Sequence, residues 1–365
     1  MNTSIGTSTS ANPDTAIKEA ASKMVDSPKL LILLSPYEQL KEASEKVSTM
    51  YPNVPLIGTS ATSYYGAEAS DKRTVLIGFG QDVVAKAGII RRLSDAPLLD
   101  MVALEDKLSE FKGANGDTIC LEYCTNDEER LVTTMNLALE HANIPLIGGT
   151  IFGVPEGKTS YAMYNGVLYE NACCYAIIKN KSGKIRTYSE LIYKRLEGAK
   201  LHIATEVNLA KKELITLDGK PAANVYCEDA GVSQSEIAGN VLTNPLGRVI
   251  GDEVFIASPY EIGERGSLIN YKRVNENDSI SVMELMDYEK IGAETRDTIK
   301  SENPKISLVL SINCIYRHLL FQNRNYLTEF LGEMAKIGPH VGVVGGGEQY
   351  KNQHINQTLV CAVFE

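Results

Sequence analysis

Residues 313–318 (NCIYRH) bring a thiol, a guanidinium and an imidazole close together in the chain. They fall where an apolar run, 305–314 (KISLVLSINC), gives way to a helical pattern over 315–336. A cysteine at a helix N-terminus is biased toward thiolate by the helix dipole, so Cys314 is a candidate nucleophile or ligand contact. Arg317 can present a planar fork to a carboxylate. His318 is four residues from Cys314 and shares its helix face, the position a general base would take. Nucleophile and base, pocket lining, and plain packing are the three readings of this segment.

Gly345, Gly346 and Gly347 close another apolar run, 340–347 (HVGVVGGG), and Gly148 and Gly149 close a similar one. Glycine lets a ligand approach the backbone closely, and exposed N–H groups in such turns hold anionic groups. A tight turn leaving a sheet would use the same residues. The polar stretch 351–358 (KNQHINQT) reads as a loop in which His354 and Asn356 are placed to close a pocket over the three glycines, with Glu333 and Glu348 as further polar candidates.

Other chemistries are not signalled. The chain has no G-x-x-x-x-G-K-[ST] loop, no H-E-x-x-H and no paired C-x-x-C. Residues 78–83 (GFGQDV) lack the third glycine of a dinucleotide fingerprint. No metal site is expected. The seven cysteines are scattered, mostly in apolar runs, which suits reduced, buried thiols rather than a disulfide framework.

The elements that must position these residues repeat. The first copy reads strand 29–35, helix 38–50, strand 53–58 (NVPLIG), returning strand 74–79. Pro55 makes its second strand an edge strand or a strand entered at the proline. The second copy reads strand 117–124, helix 128–141, strand 143–148 (NIPLIG), returning strand 172–179, with Asn126 or Asp127 able to cap the helix. A more divergent third copy runs from 305 to 364, in which Gly345, Gly346 and Gly347 stand in for Pro-Leu-Ile-Gly. Such self-similarity marks repeated units. A further helix is expected at 15–25 with Asp14 as its cap, and strands and one helix between 201 and 285. The expected fold class is α/β (α+β): mixed β-sheets flanked by helices, built from repeated strand-helix-strand-turn-strand units. A doubly wound dinucleotide fold is the alternative. The expected domains are residues 1–195, with the internal repeat, and 196–365, with the ligand site.

The net charge of −10 argues against broad binding to nucleic acid or anionic membrane. No apolar run reaches the length of a membrane span, and residues 1–14 lack the pattern of a secretory signal, so a cytoplasmic location is expected.

In its motifs the chain resembles the FIST family of sensory proteins. The likeness is carried by residues 6–21 (GTSTSANPDTAIKEAA), 55–60 (PLIGTS) with 145–153 (PLIGGTIFG), 165–172 (NGVLYENA), 313–317 (NCIYR), and Glu333 with 356–358 (NQT). Ile312 and Asn313 stand where the family's motif commonly has an aromatic residue before Cys-x-x-Arg. The resemblance implies signal transduction by binding a small ligand rather than catalysis, with an amino acid or small carboxylate as the ligand class. The chain stops after the last FIST strand, so output is expected through a partner, a histidine kinase, a diguanylate cyclase or a chemoreceptor, unless the chain is a fragment of a longer signalling protein. The expected ligand contacts are Cys314, Arg317, Glu333, Gly345, Gly346, Gly347 and Asn356, with no cofactor. Haem with nitric-oxide sensing is the alternative, with His318, His340 or His354 as the axial ligand. A cysteine-dependent enzyme is a further one.

Overall fold

The computed structural model describes residues 1–111 and 114–365. One motif is built three times. In each unit a first strand is joined through a helical crossover to a second, parallel strand. Leu30–Ser35 pairs with Leu56–Ser60, Thr118–Cys124 with Leu146–Ile151, and Leu308–Cys314 with His340–Tyr350. An antiparallel return strand lies on the first strand's other side: Thr74–Phe79, Ala172–Asn180 and Thr358–Phe364. A fourth strand pairs outside the return strand: Thr3–Ser8, Val83–Arg91 and Ile185–Leu191. The antiparallel return strand distinguishes this from a doubly wound fold, and the mixed α/β class is the expected one.

The first strands are apolar on both faces because both faces are covered. Leu31 and Leu33 meet helices Pro13–Ala21 and Leu40–Met50, while Leu30, Ile32 and Leu34 point inward. The inward residues of all three units share one core, in which Ile32 and Ile77 join Leu121, Ile147, Leu310, Ile312 and Val360.

The hairpin after each second strand is handed to another unit. Ser63–Tyr65 of the first unit pairs with His340–Tyr350 of the third. Ala162–Tyr164 of the second pairs with Leu56–Ser60 of the first. The far end of His340–Tyr350 pairs with Leu146–Ile151 of the second. The exchange closes a ring, so every unit carries a strand from another.

The register identifies equivalent residues. The N–H groups of Leu31, Cys120 and Val309 donate to the carbonyls of Pro55, Pro145 and Pro339 at 2.9, 2.9 and 2.8 Å. The third-unit counterpart of Pro-Leu-Ile-Gly is therefore 339–342 (PHVG), not the triple glycine, which lies just beyond it. Gly58, Gly148 and Gly342 occupy the equivalent site, where a Cβ would stand 2.1 Å from the Leu33 carbonyl oxygen, 2.0 Å from Glu122 Oε1 and 2.3 Å from Ser311 Oγ respectively.

One local expectation changes, and the strand entered at the proline is the alternative the structure adopts. The first helix is capped by Asn12, whose side chain accepts from the Thr15 N–H, with Pro13 in the first turn; Asp14 instead forms ion pairs with Lys18 and Lys46. Leu56–Ser60 is an interior strand, because Pro55 precedes it and leaves its ladder intact. A separate nine-stranded sheet, with helix Ala222–Ala230 packed on it, is inserted in the third unit between Ile185–Leu191 and helix Tyr288–Glu302. The expected division at residue 195 falls after the first strand of this sheet, Tyr193–Arg195. Among the described residues, no helix is long and apolar enough to cross a membrane.

Candidate functional site

Buried polar residues gather at the carboxyl end of the third unit's first strand, Asn313, Arg317, Glu348, Asn356 and Gln357 among them. Cys314 ends the strand and is the N-cap residue of helix Ile315–Asn323. Burial first, then the neighbouring Glu348, push its thiol well above the ordinary cysteine range. The helix terminus is therefore outweighed, and Cys314 stays a thiol. His318 is engaged elsewhere. Its Nδ1 lies 2.8 Å from the Tyr64 hydroxyl, with the two rings stacked, and Asn313 Nδ2 donates to the same hydroxyl at 3.1 Å. Tyr64 arrives on the hairpin lent by the first unit.

Arg317 is completely buried and forms an ion pair through Nη2 with Glu190, also buried. Its guanidinium lies over the rings of Phe321 and Phe330, at 4.8 and 5.5 Å. The fork expected to receive a ligand carboxylate thus holds an internal one through one nitrogen. Nε and Nη1 have no partner among the described residues.

The three glycines mark a crossing. The long strand leaves Cys314 at Gly345 and resumes on Gly149 at Glu348, with a register shift between. Gly347 has φ 153°, and a Cβ there would stand 2.5 Å from His354 Cε1 and 2.7 Å from Asn356 Nδ2. A Cβ on Gly345 would stand 3.6 Å from Glu348 Oε1. Gly346 faces Thr150 instead. The run is needed for the crossing itself, and it lets polar side chains close on the backbone.

Glu348 is fully buried, and burial raises its carboxyl to about 8. At neutral pH it is mostly a neutral acid. The Thr358 hydroxyl donates to its Oε2 at 2.6 Å, and Oε1 has no partner. Asn313 Oδ1, Asn356 Oδ1 and Gln357 Oε1, all buried, are likewise without partners. The structure thus gathers Cys314, Arg317, Gly345, Gly347 and Asn356 around Glu348. Glu333 lies apart, on the surface of helix Leu327–Ala335, paired with Lys336 at 2.5 Å and close to the charges of Arg296 and Lys300.

The second unit has an equivalent end. Cys124 Sγ lies 3.8 Å from Gln349 Oε1, and Gln349 occupies the position that Tyr64 has in the third unit. Glu128 pairs with Lys212 of the inserted sheet at 2.7 Å. Burial opposes ionisation of Glu128, but the charges of His354 and Lys212 outweigh it and hold the carboxyl at about 2. Glu122, on the same strand as Cys124, is buried and raised to about 8. These shifts have opposite signs. The Glu128 pairing contributes stability present above the free value of 4.5 and lost as pH falls toward 2. Glu122 and Glu348 each favour the folded state fully below 4.5, and that contribution is lost as pH rises through about 8. Urea midpoints taken from pH 5 to pH 9 should therefore fall, and Glu348→Gln should flatten the decline.

The three histidines proposed for haem are placed differently. His340 is buried, with Nε2 2.7 Å from Ser311 Oγ, and burial pushes it down to about 4. His318 borders a cleft of about 860 Å³ whose walls include Glu68, Asp71 and Arg73. His354 borders another that carries Arg248 and Lys272. The first cleft also carries Leu327 and Leu331, and the second Val132 and Leu209, so each wall is part charged and part apolar. Among the described residues, no group of three or more His, Cys, Asp or Glu is arranged to hold a metal ion.

Glu190 and Tyr64 escaped the sequence reading. Each reaches the site from far along the chain, Glu190 on the third unit's outer strand and Tyr64 on a hairpin that pairs away from its own unit. The repeat did hold a signal for Tyr64, since Gln349 and Met163 stand opposite the equivalent glycines of the other two units.

No curated protein matches the chain. Family models do. The FIST N domain matches residues 5–220 and the FIST C domain residues 222–351. The first spans two of the three units, the outer strand of the third and the start of the inserted sheet; the second spans the rest of that sheet and the third unit as far as Lys351, including Cys314, Arg317 and Glu348. Together they cover nearly all of the sequence, and the chain belongs to the FIST family of sensory domains, which is associated with small-ligand sensing in signal transduction.

Proposed function

We propose that this protein is a cytoplasmic sensor of a small polar molecule, an amino acid or small carboxylate, bound at the glycine crossing of the third unit and reported to a separate output protein. One observation supports the site: among the described residues, buried polar atoms of Asn313, Arg317, Glu348, Asn356 and Gln357 are left without hydrogen-bond partners around one strand crossing. Each such atom costs about 1–3 kcal/mol unless a ligand or water meets it. Their chemistry has two sides. Arg317 and protonated Glu348 offer donors suited to a carboxylate. Asn313, Asn356 and Gln357 offer carbonyl oxygens suited to an ammonium or amide. An amino acid carries both. The partner classes, a histidine kinase, a diguanylate cyclase or a chemoreceptor, follow the family's sensory role, and a role in binding rather than catalysis accords with Cys314 remaining a thiol.

A thermal-shift screen of amino acids and small carboxylates tests the reading. At about 100-fold excess over Kd a true ligand adds about 2.7 kcal/mol, which moves the melting temperature by roughly 2 °C or more. Asn356→Ala should weaken the response at least tenfold. A panel without any saturable shift, or an Asn356→Ala response equal to the wild type's, would count against it.

A further inference from the structure

A second site borders the glycine crossing across His354. A cleft of about 450 Å³ opens between helix Glu128–Ala142, the inserted sheet and the tip of the hairpin that ends in Gln353–Ile355. Its walls carry four cations, Arg130, Arg248, Lys272 and Arg273, against one carboxylate, Glu129. The cations are not equally engaged. Arg273 is held by Asp127 at 3.0 Å and by the Leu209 carbonyl at 3.2 Å. Arg130 donates to the carbonyls of Leu93 and Ser94, and among the described residues no carboxylate lies within ion-pair distance of it. Among the described residues, Arg248 has one carboxylate, Asp278, at 3.6 Å, and its buried Nε has no partner. Lys272 is 4 % exposed and donates to the His354 carbonyl at 2.5 Å, again with no carboxylate in ion-pair range among the described residues.

Arg248 and Lys272 rest on the same ring, that of Phe255, at 5.5 and 5.2 Å. Burial first, then the charge of Arg248, lower Lys272 to about 7. Two like charges held on one low-dielectric surface repel each other, and an anion between them relieves both. Nothing in the binding at the glycine crossing requires this arrangement.

We infer that this cleft binds a compact dianion, the shared chemistry of a phosphoryl group and a small dicarboxylate, with Arg248 and Lys272 as its principal contacts and Arg130 at the rim. A polyanion fits less well, because Asp127, Glu129 and Asp278 flank the cleft and the chain carries a net charge of −10. The site also touches the first through one hairpin. His354 lines the cleft, while Glu348 and Asn356 at the hairpin's base face the glycine crossing.

Calorimetric titration of the full chain with sulfate, inorganic phosphate and malonate, each matched in ionic strength by chloride, tests the inference. Saturable binding of sulfate is expected, and the tighter of phosphate and malonate identifies the natural group. Arg248→Gln should raise the sulfate Kd at least tenfold while leaving the melting temperature of the anion-free protein within about 1 °C, because its only carboxylate contact is long. Lys272→Met should have a similar effect on binding. Sulfate does not titrate between pH 6 and 9, so its affinity should fall over that range as Lys272 loses its proton, with Arg248, Glu129, Asp278 and His354 as the surrounding charges. Heats no larger than those of chloride for all three anions, or an unchanged sulfate Kd in Arg248→Gln, would overturn the site.

Discussion

Glu190→Gln should destabilise the chain by about 3–5 kcal/mol in urea unfolding, although residue 190 lies far from residue 317 in sequence. Glu190 is the carboxylate that neutralises Arg317, and both side chains are removed from solvent. Arginine cannot shed its proton to escape, since its intrinsic value is too high. Its stacking on Phe321 and Phe330 fixes the guanidinium where the charge is most costly to leave alone. Replacing both partners by apolar residues, as in Glu190→Leu with Arg317→Met, should recover a large part of the loss, because the uncompensated charge goes with the pair. A single-variant cost below about 1 kcal/mol would mean that water reaches Arg317 in solution.

The second large effect concerns the repeated motif itself. Gly148→Ala places a methyl 2.0 Å from Glu122 Oε1 and 2.4 Å from its Cδ. Glu122 has little room to move, since Cys173 Sγ contacts it at 3.2 Å and Tyr175 stands opposite it on the return strand. A loss of about 3 kcal/mol is expected, at the upper end of overpacking. Glu122→Ala introduced alongside should make the two changes non-additive by at least about 1 kcal/mol, because it removes the group that the methyl strikes. Strict additivity would show that Gly148 is required for some other reason. The same reasoning places Gly58 and Gly342 under equivalent constraint, which explains a glycine at this position in all three units without a ligand.

Much of this framework is legible from residues alone. Two runs, 29–35 and 117–124, are mostly apolar because their strands are covered on both faces, and both are followed by a helix and Pro-Leu-Ile-Gly. The third copy is harder to align, since His340 replaces leucine and the eye is drawn to Gly345, Gly346 and Gly347 instead of Gly342. Hydrophobic period locates strands but does not say which strands pair, so the hairpin exchange left no local trace. The same holds for the site. Cys314, Arg317 and Asn356 stand out by type and by their place beside helix or turn, whereas Glu190 and Tyr64 acquire meaning only through pairing across the ring. Glu333 shows the opposite case: a charged residue close in sequence that its helix turns toward Lys336 and solvent.

A small ligand is expected to meet the unpartnered atoms at the glycine crossing. The most direct test is a crystal structure with the compound that most raises the melting temperature. It should show that compound hydrogen-bonded to Asn356, with its carboxylate toward Arg317 and Glu348. Those atoms bonded to ordered water alone, with the compound elsewhere, would contradict it.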